Sequence, residues 1–551
     1  MKRPEYLSRR NFLGGAGLTV MSLLAGLPLI PAHAQDSDAF EPDLAIELTA
    51  RPRSVVLRPG STTTAWSYEA KVIKGDPASV LAHPDSTLGP TLRVYRGQKL
   101  RIDFVNQIDH ASIVNWHGLH VPANMMGLPR YEVAPGKRYR YEFQVVDRAG
   151  TYWYHAMAAG RTPEQVYFGL AGLLLVSDDE EAALALPRGE YDLPIVIQDR
   201  AWGRDNQLYY LPGTGPAASH KRQPDDEPHS HHGMMGGQDM MGGMMSGGMD
   251  GMMTRMMGFF GDTLFVNGRP SAPLELATHA YRMRVLNASN ARTYKLAWQD
   301  GRPLTIIASD GGLLSEPVRK DYVMLTPGQR IELWADFSHD AVGAKPTLMS
   351  QSFSSMMDMM GDSGMMGGMM GGSPLADGAE FPILTAHITR KVDDVLQLPK
   401  QLSRFQRLRA EDTVNLHDPR TFRITMGHMQ WGFNGRSFEM DTVAPDEVVQ
   451  LGTSEIWEFA NNRMMAHAIH LHGLQFQVLE RIDSPKDAGV VDGYMDEGWL
   501  DTILVMPGER VRLIMRFADF TGTYAYQCHM LEHAAAGLMR DYNVKASRLP
   551  A

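Results

Sequence analysis

The chain has 551 residues, 44% hydrophobic and 21% charged, with a formal net charge of −10. That length exceeds what one hydrophobic core serves, so two to four domains are expected, and the acidic balance argues against nucleic acid as a partner. The single cysteine, Cys528, excludes any intrachain disulfide.

The first segment reads as an address. Ser8-Arg9-Arg10-Asn11-Phe12-Leu13 is a twin-arginine pattern, an apolar run from Phe12 to Ile30 follows, and Ala32-His33-Ala34 offers a small-residue cleavage site. Gly and Pro interrupt the apolar run, so residues 1–34 are expected to be a removed signal peptide rather than an anchor. The mature chain is then expected in the periplasm, with no stable membrane insertion.

After a polar linker, Asp36 to Pro42, come short alternating runs punctuated by Gly and Pro, such as Leu92-Arg-Val-Tyr95, Leu100-Arg-Ile-Asp-Phe-Val105 and Tyr139-Arg-Tyr-Glu-Phe143. Period-two alternation with turn residues at this spacing predicts β-sandwiches. The chain also repeats itself. Ala134-Pro-Gly-Lys-Arg138 recurs as Thr326-Pro-Gly-Gln-Arg330 and as Met506-Pro-Gly-Glu-Arg510. Gly150-Thr-Tyr-Trp-Tyr-His155 recurs as Gly522-Thr-Tyr-Ala-Tyr-Gln527, at the same offset of 372 residues that separates Pro135 from Pro507. Asn115-Trp-His-Gly-Leu119 likewise pairs with His470-Leu-His-Gly-Leu474. Three related domains follow, the first and third most alike. Their expected bounds are 41–178, 190–392 and 400–548.

Two segments in the middle domain stand apart. Residues 229–257 carry His229, His231, His232 and eleven methionines, and residues 356–370 carry eight more, together 19 of the 37 in the chain. Their Gly content and lack of aliphatic residues forbid a packed core, so they are expected to be surface inserts. Exposed thioether oxidises and adds little solubility, which makes it a poor spacer. It does bind soft Cu(I), and copper or silver capture is the reading favoured over an inert loop.

The C-terminal stretch Tyr524-Ala-Tyr-Gln-Cys-His-Met-Leu-Glu-His533 puts the lone thiol beside His529, with His533 five residues on and His467, His470 and His472 upstream. Thiolate and imidazole together are a copper donor set, and His₂Cys with a weak axial group is the electron-transfer arrangement.

These motifs, in this order, resemble the three-domain multicopper oxidases, and in particular the exported cuprous-oxidase and copper-tolerance branch with methionine-rich inserts. The resemblance implies an all-β chain of three cupredoxin-like Greek-key β-sandwich domains. It also implies a type 1 copper in the third domain and a three-copper cluster between the first and third. His467, Cys528 and His533 match the type 1 ligands, and Leu538 stands at the axial position, where an aliphatic side chain removes a weak ligand and raises the potential. Met539 is expected to point away from that site. The cluster motif is eroded. Of four His-x-His pairs only His470-Leu-His472 is complete, and Asn115, Met157 and Gln527 replace three imidazoles. By the family's arrangement, His117, His155 and His529 hold one cluster copper and all three remain, while the other two coppers keep only His470 and His472. The resemblance therefore implies a single His₃ site with an open position. The family's proton-delivering carboxylates are replaced by Met126 and Ala534, so four-electron oxygen reduction is not expected. His120 is an extra imidazole near that site, with a surface role as well supported as proton transfer.

Three functions fit. The first is a copper-handling redox protein that takes electrons from Cu(I) or another small-molecule or protein donor through the type 1 copper. The second is a non-catalytic scaffold, like the exported division-associated relatives of the same fold. The third is a two-copper reductase or dehydrogenase acting at the His₃ site. The oligomeric state leaves no trace in the sequence.

Overall fold

Strand Lys99–Asn106 shows how the sequence builds this molecule: Leu100, Ile102 and Phe104 are buried, while Lys99, Arg101 and Asp103 alternate toward solvent. The computed structural model describes residues 40–546 apart from 212, 217–253, 255, 355–374, 428 and 487. The expected signal peptide and nearly all of both methionine-rich stretches lie outside the described residues. Among the described residues no helix exceeds the six residues of Thr162–Tyr167.

Six main sheets arise in three pairs from three consecutive stretches of chain. In the first stretch, Leu44–Val55 lies between Thr63–Lys74, antiparallel, and Lys99–Asn106, parallel. The facing sheet runs from Val80–Leu81 through Thr91–Tyr95, Ala171–Ser177 and Gly150–Ala156 to Val114–His117. Neighbours that are distant in sequence mark Greek-key connections. The third stretch repeats the pattern, with Gly522–Cys528 between Met539–Lys545 and His467–Leu471. One continuous apolar core joins the first and third sandwiches, and the middle one has its own.

The repeated Pro-Gly-x-Arg motif is one structural device used three times. Each copy closes a turn, with Lys137, Gln329 and Glu509 donating their N–H to Ala134, Thr326 and Met506 at 3.0, 3.1 and 3.1 Å. Each then enters a strand, at Arg138–Gln144, Arg330–Asp336 and Arg510–Arg516. Gly136, Gly328 and Gly508 adopt φ of 75°, 89° and 81°, a region that favours glycine.

Candidate metal centres

The sites form where strands of the first and third sandwiches end against each other. Gly522–Cys528 pairs with His467–Leu471 so that Ile469 lies opposite Cys528 and His470 opposite Gln527. The short helix Leu531–Ala535 then turns His533 back toward the thiol.

Cys528 Sγ lies 3.6 Å from Nδ1 of His467 and 3.6 Å from Nδ1 of His533, and all three residues are fully buried. His533 donates its Nε2–H to the Met256 carbonyl at 3.0 Å, which leaves Nδ1 bare toward the sulfur. The Trp431 ring covers both imidazoles, at centroid distances of 4.9 and 5.0 Å. Burial pushes the Cys528 thiol up to about 12 and holds His533 down to about 4. Neutral imidazoles are the ligating form, and a thiol so placed ionises only against a cation. The two 3.6 Å separations bring the three donors close enough to hold one ion between them. The donor set fits copper of the His₂Cys kind. Leu538 is fully buried and brings no side-chain donor, while its carbonyl accepts the Cys528 N–H at 2.9 Å.

The second group is His117, His155 and His529, whose ligand atoms lie within 4.8 Å of one another. His155 donates Nδ1–H to the Ala156 carbonyl at 2.8 Å, leaving Nε2 bare and 3.4 Å from Nε2 of His529. His117 donates Nε2–H to Asp501 Oδ1 at 3.0 Å, leaving Nδ1 bare and without a partner. Burial holds His117 and His529 well below the usual histidine range and His155 to about 4. Three neutral, buried imidazoles with bare nitrogens also fit a metal ion. Gly328, from the middle sandwich, closes over them. A Cβ there would lie 3.1 Å from the His529 ring and 3.2 Å from His117.

The other predicted ligands lie beside this trio and outside it. His470 stacks on His117 at 3.8 Å and 12°, and donates Nδ1–H to the Asp501 carbonyl at 2.8 Å. His472 Nδ1 lies 3.2 Å from Asn115 Nδ2. Asn115, Met157 and Gln527 are buried at 0%, 1% and 2% exposure. His120 is held by Asp147, its Nδ1 2.6 Å from Oδ1. Burial works against its charge, yet the Asp147 carboxylate keeps it above the usual histidine range.

Sequence reasoning missed the carboxylate that orients this group. Asp501 accepts from His117 and Thr502 and from both ends of Arg330, at 2.7 and 2.6 Å. Burial opposes its charge, but Arg330 and then His117 hold its carboxyl well below the usual range. His117, His470 and Asp501 also fall within metal-ligand reach of one another. Asp501 is saturated by its partners, however, so it acts by fixing the His117 tautomer. The Pro-Gly-x-Arg repeat did single out Arg330. Nothing in the sequence tied it to Asp501.

Two family models described as multicopper oxidase match this chain, over residues 65–181 and 413–548. The chain is 28% identical over 514 residues to a laccase of Bacillus stratosphericus, covering 85% of this chain and 91% of that protein. It is 30% identical over 502 residues to the cell division protein FtsP of Yersinia pestis, covering 91% and 90%. Among solved structures, the McoA multicopper oxidase of Aquifex aeolicus is similar at a TM-score of 0.72 and 28% identity, over 92% of this chain and 97% of that one. The three Greek-key sandwiches are thus cupredoxin-like.

Proposed function

Because the chain belongs to the multicopper oxidase family, we propose that it is an exported copper-binding redox protein that handles Cu(I), with one electron-transfer copper, one further copper and no complete oxygen-reducing cluster. In this reading His467, Cys528 and His533 hold the first ion, and His117, His155 and His529 hold the second. Copper would supply one-electron redox chemistry at both places. Cys528 and His529 are consecutive, so covalent bonds connect the two donor sets. That adjacency of two preformed, neutral, buried sets is the observation that carries the proposal.

The residues around the sets support the division of labour. Trp431 shields the first set, and the Met256 carbonyl fixes His533. Met429 and Met464 are 48% and 60% exposed, close in sequence to Trp431 and His467, and soft thioethers there suit Cu(I) as electron donor. In this reading the second set has three imidazoles, since Asn115, Met157 and Gln527 replace three others, while His470 is held by the Asp501 carbonyl and His472 lies against Asn115. Two ions store two electrons, short of the four needed to take dioxygen to water. Among the described residues no helix is long and apolar enough to cross a membrane. The twin-arginine segment supports periplasmic export.

Loading the purified protein with copper and recording its visible spectrum tests this. A thiolate-to-copper charge-transfer band is expected in the native chain and absent in Cys528→Ser. A native chain that takes up copper without that band contradicts the proposal.

The match to a division protein favours a second reading, a scaffold that keeps the fold without the chemistry. A chain that stays empty under copper loading would establish it.

A further inference from the structure

We propose that a cavity in the middle sandwich binds a para-hydroxylated aromatic carboxylate. Arg319 and Thr305 would hold its carboxylate, Trp334 and Trp298 its ring, and Asp336 its hydroxyl. The cavity has a volume of about 510 Å³ and is walled by these residues and by the chain segment 395–398. None of its lining residues belongs to either donor set, so the inference does not depend on copper.

Strand register sets the wall. Leu304–Ser309 lies between Gly312–Lys320 and Arg330–Asp336 in one sheet. Thr305 pairs with Arg319, and Ile306 with Leu333, which sets Trp334 beside Thr305. Leu304, Ile306 and Leu333 are buried in the core of the sandwich, so Thr305, Arg319, Trp334 and Asp336 share the opposite face. Strands lie about 4.8 Å apart, which separates Arg319 from Trp334 by roughly 10 Å across the sheet, and Asp336 follows Trp334 by about 7 Å along its strand. The row therefore runs from a cation, past a hydroxyl and an indole, to an acid. Trp298 closes one end, packed edge to face on Phe337 at 5.7 Å and 88°. Leu396 and Leu398 anchor the covering segment on the same core.

Charge and hydrogen bonding identify the ligand. Arg302 also lines the cavity, but its guanidinium is used: Nη1 and Nη2 donate to Asp340 at 2.8 Å each, and Nε donates to Asp300 at 2.8 Å. Arg319 has no ion pair and the Thr305 hydroxyl no hydrogen-bond partner among the described residues. An unpaired guanidinium next to a free hydroxyl is a site for a carboxylate. Asp336 accepts the Ser338 N–H on Oδ1 at 2.9 Å, which leaves Oδ2 to accept from a hydroxyl donor.

Between these polar ends, Trp334 and Trp298 offer indole surface for a planar ring. The volume falls within the roughly 300–1,000 Å³ of small-molecule sites. An inorganic anion would leave the indoles uncovered and Asp336 unused, and a neutral arene would leave Arg319 unpaired.

The test is calorimetric titration of the full chain, copper-loaded and metal-free, with 4-hydroxybenzoate. Binding of equal affinity is expected in both forms. Methyl 4-hydroxybenzoate, which lacks the charge, should bind on the order of tenfold more weakly, as should 4-hydroxybenzoate to Arg319→Met. Arg319→Lys should recover part of that loss. Asp336→Asn should weaken 4-hydroxybenzoate and leave benzoate unchanged, because benzoate has no hydroxyl to donate. The unfolding transition of each variant verifies that it is folded. A native chain that binds no 4-hydroxybenzoate at millimolar concentration overturns the proposal, and so does an Arg319→Met variant that binds it as tightly as the native chain. An affinity that changes with copper loading places the ligand at the donor sets and overturns it too.

Discussion

Replacing Arg330 by methionine removes the group on which all three sandwiches converge. Arg330 belongs to the middle sandwich and is fully buried. Its five N–H groups are all used. Nε donates to the Thr151 carbonyl of the first sandwich at 3.0 Å, Nη1 to the Gly328 carbonyl at 3.0 Å and Asp501 Oδ1 at 2.7 Å, and Nη2 to the Asp310 carbonyl at 2.9 Å and Asp501 Oδ2 at 2.6 Å. Methionine has similar length and no donor, so Asp501 is left as a buried carboxylate with no cation. Breaking a buried pair in this way costs about 3–5 kcal/mol. Arg330→Lys keeps the charge but not the planar fork, and should recover only part of that. The assay is denaturant unfolding of the metal-free protein, paired with the copper content of the loaded one. Arg330→Met should also release the His117 ring and lower occupancy of the second site, while the type 1 band persists. A loss of stability below about 1 kcal/mol, within the range of ordinary surface substitutions, would refute the reasoning.

Two further outcomes follow from the same group and its neighbour. Burial pushes the Glu532 carboxyl up to about 7, against the donors Asn290 and Tyr210. Its folded pKa lies above the unfolded 4.5, so its contribution is full below pH 4.5, declines as pH rises to about 7 and is flat beyond. The amplitude is on the order of 3 kcal/mol, and Glu532→Gln should abolish that slope in unfolding measurements of the metal-free chain. Gly328→Ala places a Cβ 3.1 Å from His529 and 3.2 Å from His117 at a φ of 89°. It should cost about 1 kcal/mol or more and empty the second site, and a variant that still binds two coppers would show that the close approach is tolerated.

The fold was legible because its signals are local and repeated. Alternation along Leu100–Val105 and Tyr139–Phe143 marks strands, and the recurrence of Pro-Gly-x-Arg marks equivalent turns in all three sandwiches. The two donor sets were legible because Cys528, His529 and His533 are close in sequence and their partners sit in matching motifs. The carboxylate that orients them was not. Arg330, Asp501 and Thr151 come from three distant stretches, and only the docking of three sandwiches brings them together. Asn115 was legible as a lost imidazole. Its bond to His472 was not, because His472 lies 357 residues away. The Met256 carbonyl on His533 likewise has no signature, since backbone atoms carry none.

The count of copper ions on the fully loaded chain, taken together with oxygen uptake on Cu(I), bears most directly on the two-site account. Two ions per chain, one with the type 1 spectrum, and little oxygen uptake are expected. Four ions with rapid uptake would contradict it.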